Sequence, residues 1–293
     1  MGFGLWFDVM YRTAGRRSQN GKDAPVSDTN GDPLNFSELV TFYERIVDPL
    51  TLPMGRRALD LVGLTRGDRL IDVAAGTGAL AAEAAQRGMR VLAIDVEPKM
   101  VARAAARLAP FPGSEAREMN FDAIEAPDAS FDAAVSIVGV LAFPGGRKGL
   151  HELVRVTRPG GSVAVATWDQ EQTAAPQYLA SHVFAGLFPD RQLWPADFFP
   201  AWTKDEVVLA LREAGCTKAE MHSVQGEWVV QSPAAVMAEA GASIRMFPGY
   251  KALSEADRHR FEDAYTAAVV GRAGPDGTAR IMTRAFVGVG RIA

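Results

Sequence analysis

Two short stretches hold residue types that could bind a nucleotide-like ligand. The first, Asp72-Val-Ala-Ala-Gly76-Thr77-Gly78, ends an apolar run in a glycine turn. Glycines at such a turn let backbone approach a ligand that a Cβ would exclude. The second ends on Asp95, 17 residues after Gly78. An acid at the end of the next strand can accept hydrogen bonds from both hydroxyls of a ribose. The pair predicts an adenosine-containing cofactor. A dinucleotide motif would put a third glycine at position 81, where the chain has Ala81. Asp72, inside the strand, reads as partly structural, orienting the turn.

Other chemistry is sparse. Of the four histidines, His151, His222 and His259 read as surface or structural residues. His182, in an aromatic stretch, is the best placed to act as a general base. No histidine pair has metal-ligand spacing, so no metal is expected. Cys216 is the only cysteine, which excludes an internal disulfide and a cysteine-based metal cluster. The net charge of −4, with scattered arginines, argues against nucleic acid as a partner. No apolar run reaches the ~18 residues of a membrane span, and no signal peptide is expected. A cytoplasmic location is the default expectation.

The elements that must position these residues follow from periodicity. Asn35 with Glu38 reads as a capping box opening a helix that carries Phe36, Leu39, Val40, Tyr43, Val47 and Leu50 on one face. A second helix is expected over about 54–62. From 69 the chain alternates strand and helix: strands near 69–75, 89–95, 115–119, 130–138 and 161–168, with helices over 79–87, 98–108 and 146–158 between them. Strands this apolar, separated by helices, imply a parallel sheet buried on both faces. Residues 170–202 break the rhythm as an aromatic, loop-rich insertion, read either as a lid over an apolar pocket or as its own core. A helix from Thr203 to Ala214, a strand near 218–230, helices near 232–246 and 254–271, and a strand near 279–291 follow. The expected organisation is an N-terminal arm and linker over 1–33 and one domain over 34–293. The apolar arm (Phe3, Leu5, Trp6, Phe7, Met10, Tyr11) is expected to dock near the insertion.

The motifs together resemble class I S-adenosylmethionine-dependent methyltransferases. LIDVAAGTG is similar to the first motif of that family and VLAIDVEPKMVARA to the second. The stretch from MNFDAIEAPDA to GGSVAVATW is similar to the third through fifth. The nearest group is that of ubiquinone/menaquinone-biosynthesis methyltransferases, with the likeness covering about residues 36–168. Ala74 stands where the family most often has its first glycine.

This resemblance implies a Rossmann-like, doubly wound, seven-stranded sheet, mostly parallel with an antiparallel last strand and helices on both faces. It implies S-adenosylmethionine as cofactor and a small-molecule methyl acceptor, with a homodimer left open. Position by position, Ala74, Gly76, Thr77 and Gly78 fall at the methionine half of the cofactor. Asp95 falls at the ribose, and Val96 and Met100 at the adenine. Asp122, flanked by Phe121 and Ala123, would accept from the adenine amino group, or else serve as a turn acid. Val138 would lie near the transferred methyl, and Tyr43 would close over the methionine end or simply pack its helix. The expected reaction is methyl transfer to an oxygen of a small organic acceptor. The alternatives are carbon methylation of a quinone-like compound, a non-catalytic S-adenosylmethionine-binding protein, and an NAD-dependent reductase.

Overall fold

The computed structural model describes residues 40–171, 173–195 and 198–293. The expected arm, linker and capping box at Asn35 lie outside the described residues.

The expected sheet is present. Seven strands, β1 (Arg69–Val73), β2 (Arg90–Asp95), β3 (Glu115–Glu118), β4 (Phe131–Ile137), β5 (Thr157–Trp168), β6 (Cys216–Val230) and β7 (Ala279–Ile292), lie in the order β3-β2-β1-β4-β5-β7-β6. The first five are parallel, and β7 runs antiparallel to both neighbours. Chain order reverses beside β1, whose neighbours are β2 and β4. A crevice outside the carboxyl ends of the strands forms at such a switch point.

Helices cover both faces. Leu70, Ala133, Val135, Ala164 and Ala166 point to one face, under α1 (Asp48–Val62), α2 (Ala79–Gln86) and α3 (Pro98–Leu108). Ile71, Val73, Ala134, Val163 and Val165 point to the other, under α4 (Gly146–Val156) and α6 (Lys204–Glu213). The alternation of successive buried residues between the two faces is the two-residue period of a strand.

The helix before β1 differs from its sequence reading. Residues 40–62 are helical throughout, with a π-helical turn at Tyr43–Val47 leading into α1. The sequence predicts two helices, one through Leu50 and one over about 54–62, and Pro53 between them removes one backbone donor. The helix runs through it because Met54, Ala58, Leu59 and Val62 are buried against the sheet.

The aromatic insertion is also corrected in detail. It contains α5 (Pro176–Leu187), which packs with α7 (Val236–Arg245), the short α8 (Pro248–Lys251) and α9 (Glu255–Val270) into a helical cap. Phe184, Phe188, Leu193 and Phe198 are buried in the core that also holds Phe247, Phe261 and Tyr265. Edge-on aromatic contacts such as Trp194–Phe199, with centroids 5.4 Å apart, knit the run together. Among the described residues this run is core. No helix of the described residues is long and apolar enough to cross a membrane.

Candidate cofactor cleft

The cleft lies at the switch point. Its walls are Tyr43, Val47, Asp48 and Thr51 from the first helix and Ala74, Ala75 and Gly76 from the turn after β1. Asp95, Val96 and Glu97 line it from the end of β2, Met100 from the first turn of α3, and Ile137, Val138 and Phe143 from the exit of β4.

Two loops meet there under strain. After β1, Ala74, Gly76 and Gly78 take positive φ of 58°, 55° and 75°. After β4, Val138 does so at 52°. A β-branched residue in this region is a true outlier, and such strain concentrates at functional sites. Ser136 holds the two loops together: its hydroxyl donates to Val73 O at 2.8 Å and accepts from Val140 N–H at 3.0 Å. A Cβ on Gly139 would lie 2.7 Å from Ala74 Cβ, so only glycine lets the loops touch.

Asp95 organises the turn as well as facing the cleft. Its Oδ2 accepts from Gly76 N–H at 2.8 Å and its Oδ1 from Glu97 N–H at 3.0 Å. Those bonds fix the outward course of the glycine turn and leave lone pairs for a ligand. Burial nevertheless raises the Asp95 carboxyl above the ordinary range, partly offset by the backbone donors.

The Tyr43 ring lies above Gly76, where a Cβ would sit 3.6 Å from it. Burial and the charges of Asp95 and Asp48 push its phenol up to about 12, so it is protonated at neutral pH. Asp72 lies deeper, lining a side cavity shared with Asp48, Thr51 and Ala75. It is 2% exposed and its Oδ2 has no partner. Burial, followed by the charge of Asp95, raises its carboxyl to about 7.

Of the residues singled out from sequence, the cleft brings together Tyr43, Ala74, Gly76, Asp95, Val96, Met100 and Val138. Thr77 and Gly78 lie behind the turn. Thr77 is buried and bonded to Asp48, and Gly78 packs on Ala104. Phe121 is directed into the core under α4, beside Gly145 and Gly149. Asp122 ion-pairs with Lys148 at 3.4 Å, and Ala123 is exposed. None of these three lines the cleft. His182 sits on the exposed side of α5, also outside the lining. Sequence reasoning did not single out Val47, Asp48, Thr51, Ile137 or Phe143. Val47 and Thr51 stand four and eight residues beyond Tyr43, a helical spacing that could have flagged them. Among the described residues, no group of three His, Cys, Asp or Glu could hold a metal ion.

Sheet order, reversed strand and cleft define a class of fold that solved methyltransferases share. Phosphoethanolamine N-methyltransferase 2 of Haemonchus contortus, solved with phosphomonomethylethanolamine and S-adenosylhomocysteine, matches with a TM-score of 0.54 at 16% identity. That match covers 87% of this chain and 57% of the other, and is a likeness of fold. Within the fold, residues 71–165 match the family described as a methyltransferase domain. An uncharacterised protein of Mycobacterium tuberculosis is 38% identical over 131 residues, 44% of this chain and 47% of its own length. Demethylmenaquinone methyltransferase of Beutenbergia cavernae is 36% identical over 138 residues, 45% of this chain and 55% of its own length. The chain thus spans about half the length of these curated relatives. The likeness to methyltransferases in sequence lies over the sheet core, the stretch that carries the motifs.

Proposed function

We propose that this chain transfers a methyl group from S-adenosylmethionine to a small organic acceptor. The observation that carries this reading is the charge of the cleft. Asp95 and Glu97 line it, Asp48 lines it with its charge paired to Arg107 behind, and Asp72 lies beside it, partly protonated at neutral pH. No Lys, Arg or His is among its described lining residues. A dinucleotide would bring a doubly negative pyrophosphate into this field. A sulfonium and an ammonium are favoured in it, because opposite charges attract strongly where water is scarce. When bound, S-adenosylmethionine supplies an electrophilic methyl on a positive sulfur.

The residues of the chain would then bind and orient. Asp95 would accept from the ribose hydroxyls, Val96 and Met100 would flank the base, and Tyr43 would cover the glycine turn. Asp122 and Ala123 reach the cofactor in this reading only if the loop after β3 moves inward, and Phe121 supports that loop from the core. Val47, Ile137, Val138 and Phe143 offer an apolar wall to the acceptor, with the Thr51 hydroxyl beside them. Positioning of this sort can remove on the order of 7–11 kcal/mol of barrier in well-oriented cases. The protonated Tyr43 is a donor or a cover at neutral pH, and His182 lies on the cap surface. The acceptor therefore brings its own nucleophilic atom, and an oxygen of a small organic compound is the preferred reading, either a carboxylate already ionised or a hydroxyl that gives its proton to water. A second reading, carbon methylation of a quinone-like acceptor, is favoured by the relative named demethylmenaquinone methyltransferase.

Isothermal calorimetry with S-adenosylmethionine, S-adenosylhomocysteine and NAD tests the cofactor, and preferential binding of NAD would overturn the proposal. A radiolabelled-methyl screen across small phenols, acids and quinols then tests the acceptor. Label recovered on carbon would replace the oxygen reading.

A further inference from the structure

Behind the cleft, two helices face each other with opposite charge. Glu44 and Asp48 stand one turn apart at the π-helical turn and the start of α1. Arg103 and Arg107 stand one turn apart on α3. Arg107 is the centre: one guanidinium nitrogen donates to Asp48 Oδ2 at 2.8 Å and Thr77 Oγ1 at 2.9 Å, and the other to Glu44 Oε1 at 2.9 Å. The Thr77 hydroxyl in turn donates to the Asp48 carboxylate, 2.7 Å from Oδ2. Arg103 adds a bond to Glu44 at 2.5 Å.

This is not a loose surface pair. Thr77 is 1% exposed and Asp48 8%. α3 reaches the glycine turn because Ala104, between the two arginines, lies against Gly78. Arg107 thereby connects three parts: the helix that carries the bases, the glycine turn through Thr77, and the turn that carries Tyr43 through Glu44. The last two form floor and roof of one cleft, with the Tyr43 ring above Gly76. A π turn is a rare local departure from the α-helix, found frequently at functional sites, and here side chains on both of its ends are anchored to α3 or to the glycine turn.

We propose that Arg107 is a positioning residue: with Asp48, Glu44 and Thr77 it straps the Tyr43 turn to the glycine turn and sets the height of the cleft roof. A consequence for cofactor affinity rests on the function proposed above, whereas the strap itself does not. A carboxylate–guanidinium network satisfied on both sides holds geometry more narrowly than apolar packing alone.

The test uses Arg107→Gln in the full chain, with Arg107→Lys as the conservative variant. Peptide-level amide exchange on the unliganded proteins reads the strap. Arg107→Gln should speed exchange in 43–51 and 75–78 by about tenfold, leave 131–137 unchanged, and fall back toward wild type in Arg107→Lys. Unchanged exchange in those segments, or acceleration spread evenly over the sheet, overturns the proposal. Should Arg107→Gln fail to fold, Glu44→Gln carries the same exchange test. Calorimetry with S-adenosylhomocysteine reads the consequence. Arg107→Gln should bind about tenfold more weakly, and the double variant with Tyr43→Ala no more weakly than Tyr43→Ala alone. Fully additive losses overturn the link between Arg107 and Tyr43. A wild-type chain that binds neither S-adenosylmethionine nor its product overturns the cofactor reading, while amide exchange still decides the strap.

Discussion

Asp72 is a buried acid served on one side only: Ala81 N–H supports its carboxylate, while Oδ2 has no partner. Its carboxyl is raised to about 7 from an ordinary 3.8, so between those values the folded chain holds a proton that the unfolded chain has released. Stability must then fall as pH climbs through that window and level off above about 7. Asp72→Asn removes the charge and keeps one acceptor for Ala81. It should melt several degrees above wild type at pH 8, with the gain gone near pH 4, as scanning calorimetry can check. A variant that melts lower at pH 8 would mean the charge is stabilised by something other than Ala81. Asp95 is raised by burial in the same direction, but both its oxygens hold backbone N–H groups. Asp95→Ala should weaken S-adenosylmethionine binding by roughly 1–3 kcal/mol, and unchanged calorimetric affinity would remove it from the site. At this scale the places of Asp95 and Gly76 in the cleft were legible because they follow from position in a strand–turn unit. Asp48 and Ser136 were not, because their partners, Thr77 and Val73, lie 29 and 63 residues away.

Elements read more clearly than their joints. β1, β2, β4 and β5 were legible as apolar runs because they are covered on both faces, and the antiparallel β7 was implied by resemblance. The continuous helix over 40–62 was not legible, since burial of its face outweighs what Pro53 breaks. The strained φ of Val138 was equally hidden, because nothing local asks a valine for it. The glycine turn offers a sharper test. A Cβ on Gly78 would fall 2.7 Å from Ala104 Cβ and 2.8 Å from its Cα, at φ +75°. At Gly63, with φ +70°, it would meet nothing within 4 Å. Gly63→Ala should therefore cost only the left-handed backbone penalty, about 1–2 kcal/mol. Gly78→Ala should cost that plus about 1–3 kcal/mol of overpacking as α3 is pushed from the turn. Urea unfolding of the two variants measures the difference, and equal losses would show that α3 yields freely.

Across the whole molecule, the apolar interior on the α1 side of the sheet is continuous from Leu59 and Val135 to Phe184, Phe261 and Tyr265 in the cap. The cap is also tied to the far side of the sheet, where Trp202 Nε1 donates to Leu141 O at 2.9 Å. α7 packs against the turn that carries Tyr43, so the cap reaches the cleft through that turn. Aromatic composition alone left lid and core equally open over 170–202, because either role needs the same side chains. The core role is visible only through the partners supplied by α9, some sixty residues and more further on, and it is compatible with a lid. A cap sharing one core with the sheet should not unfold alone. Far-ultraviolet circular dichroism, dominated by the whole backbone, and tryptophan fluorescence, which includes Trp194 and Trp202, should give one coincident transition in urea. Phe184 is fully buried, so Phe184→Ala should cost about 3–5 kcal/mol and shift both probes together. If the fluorescence transition instead moved to lower urea while the backbone signal stayed, the cap would be a separate folding unit resting on the sheet. The cleft would then owe its Tyr43 wall to the strap at Arg107 rather than to the cap behind it.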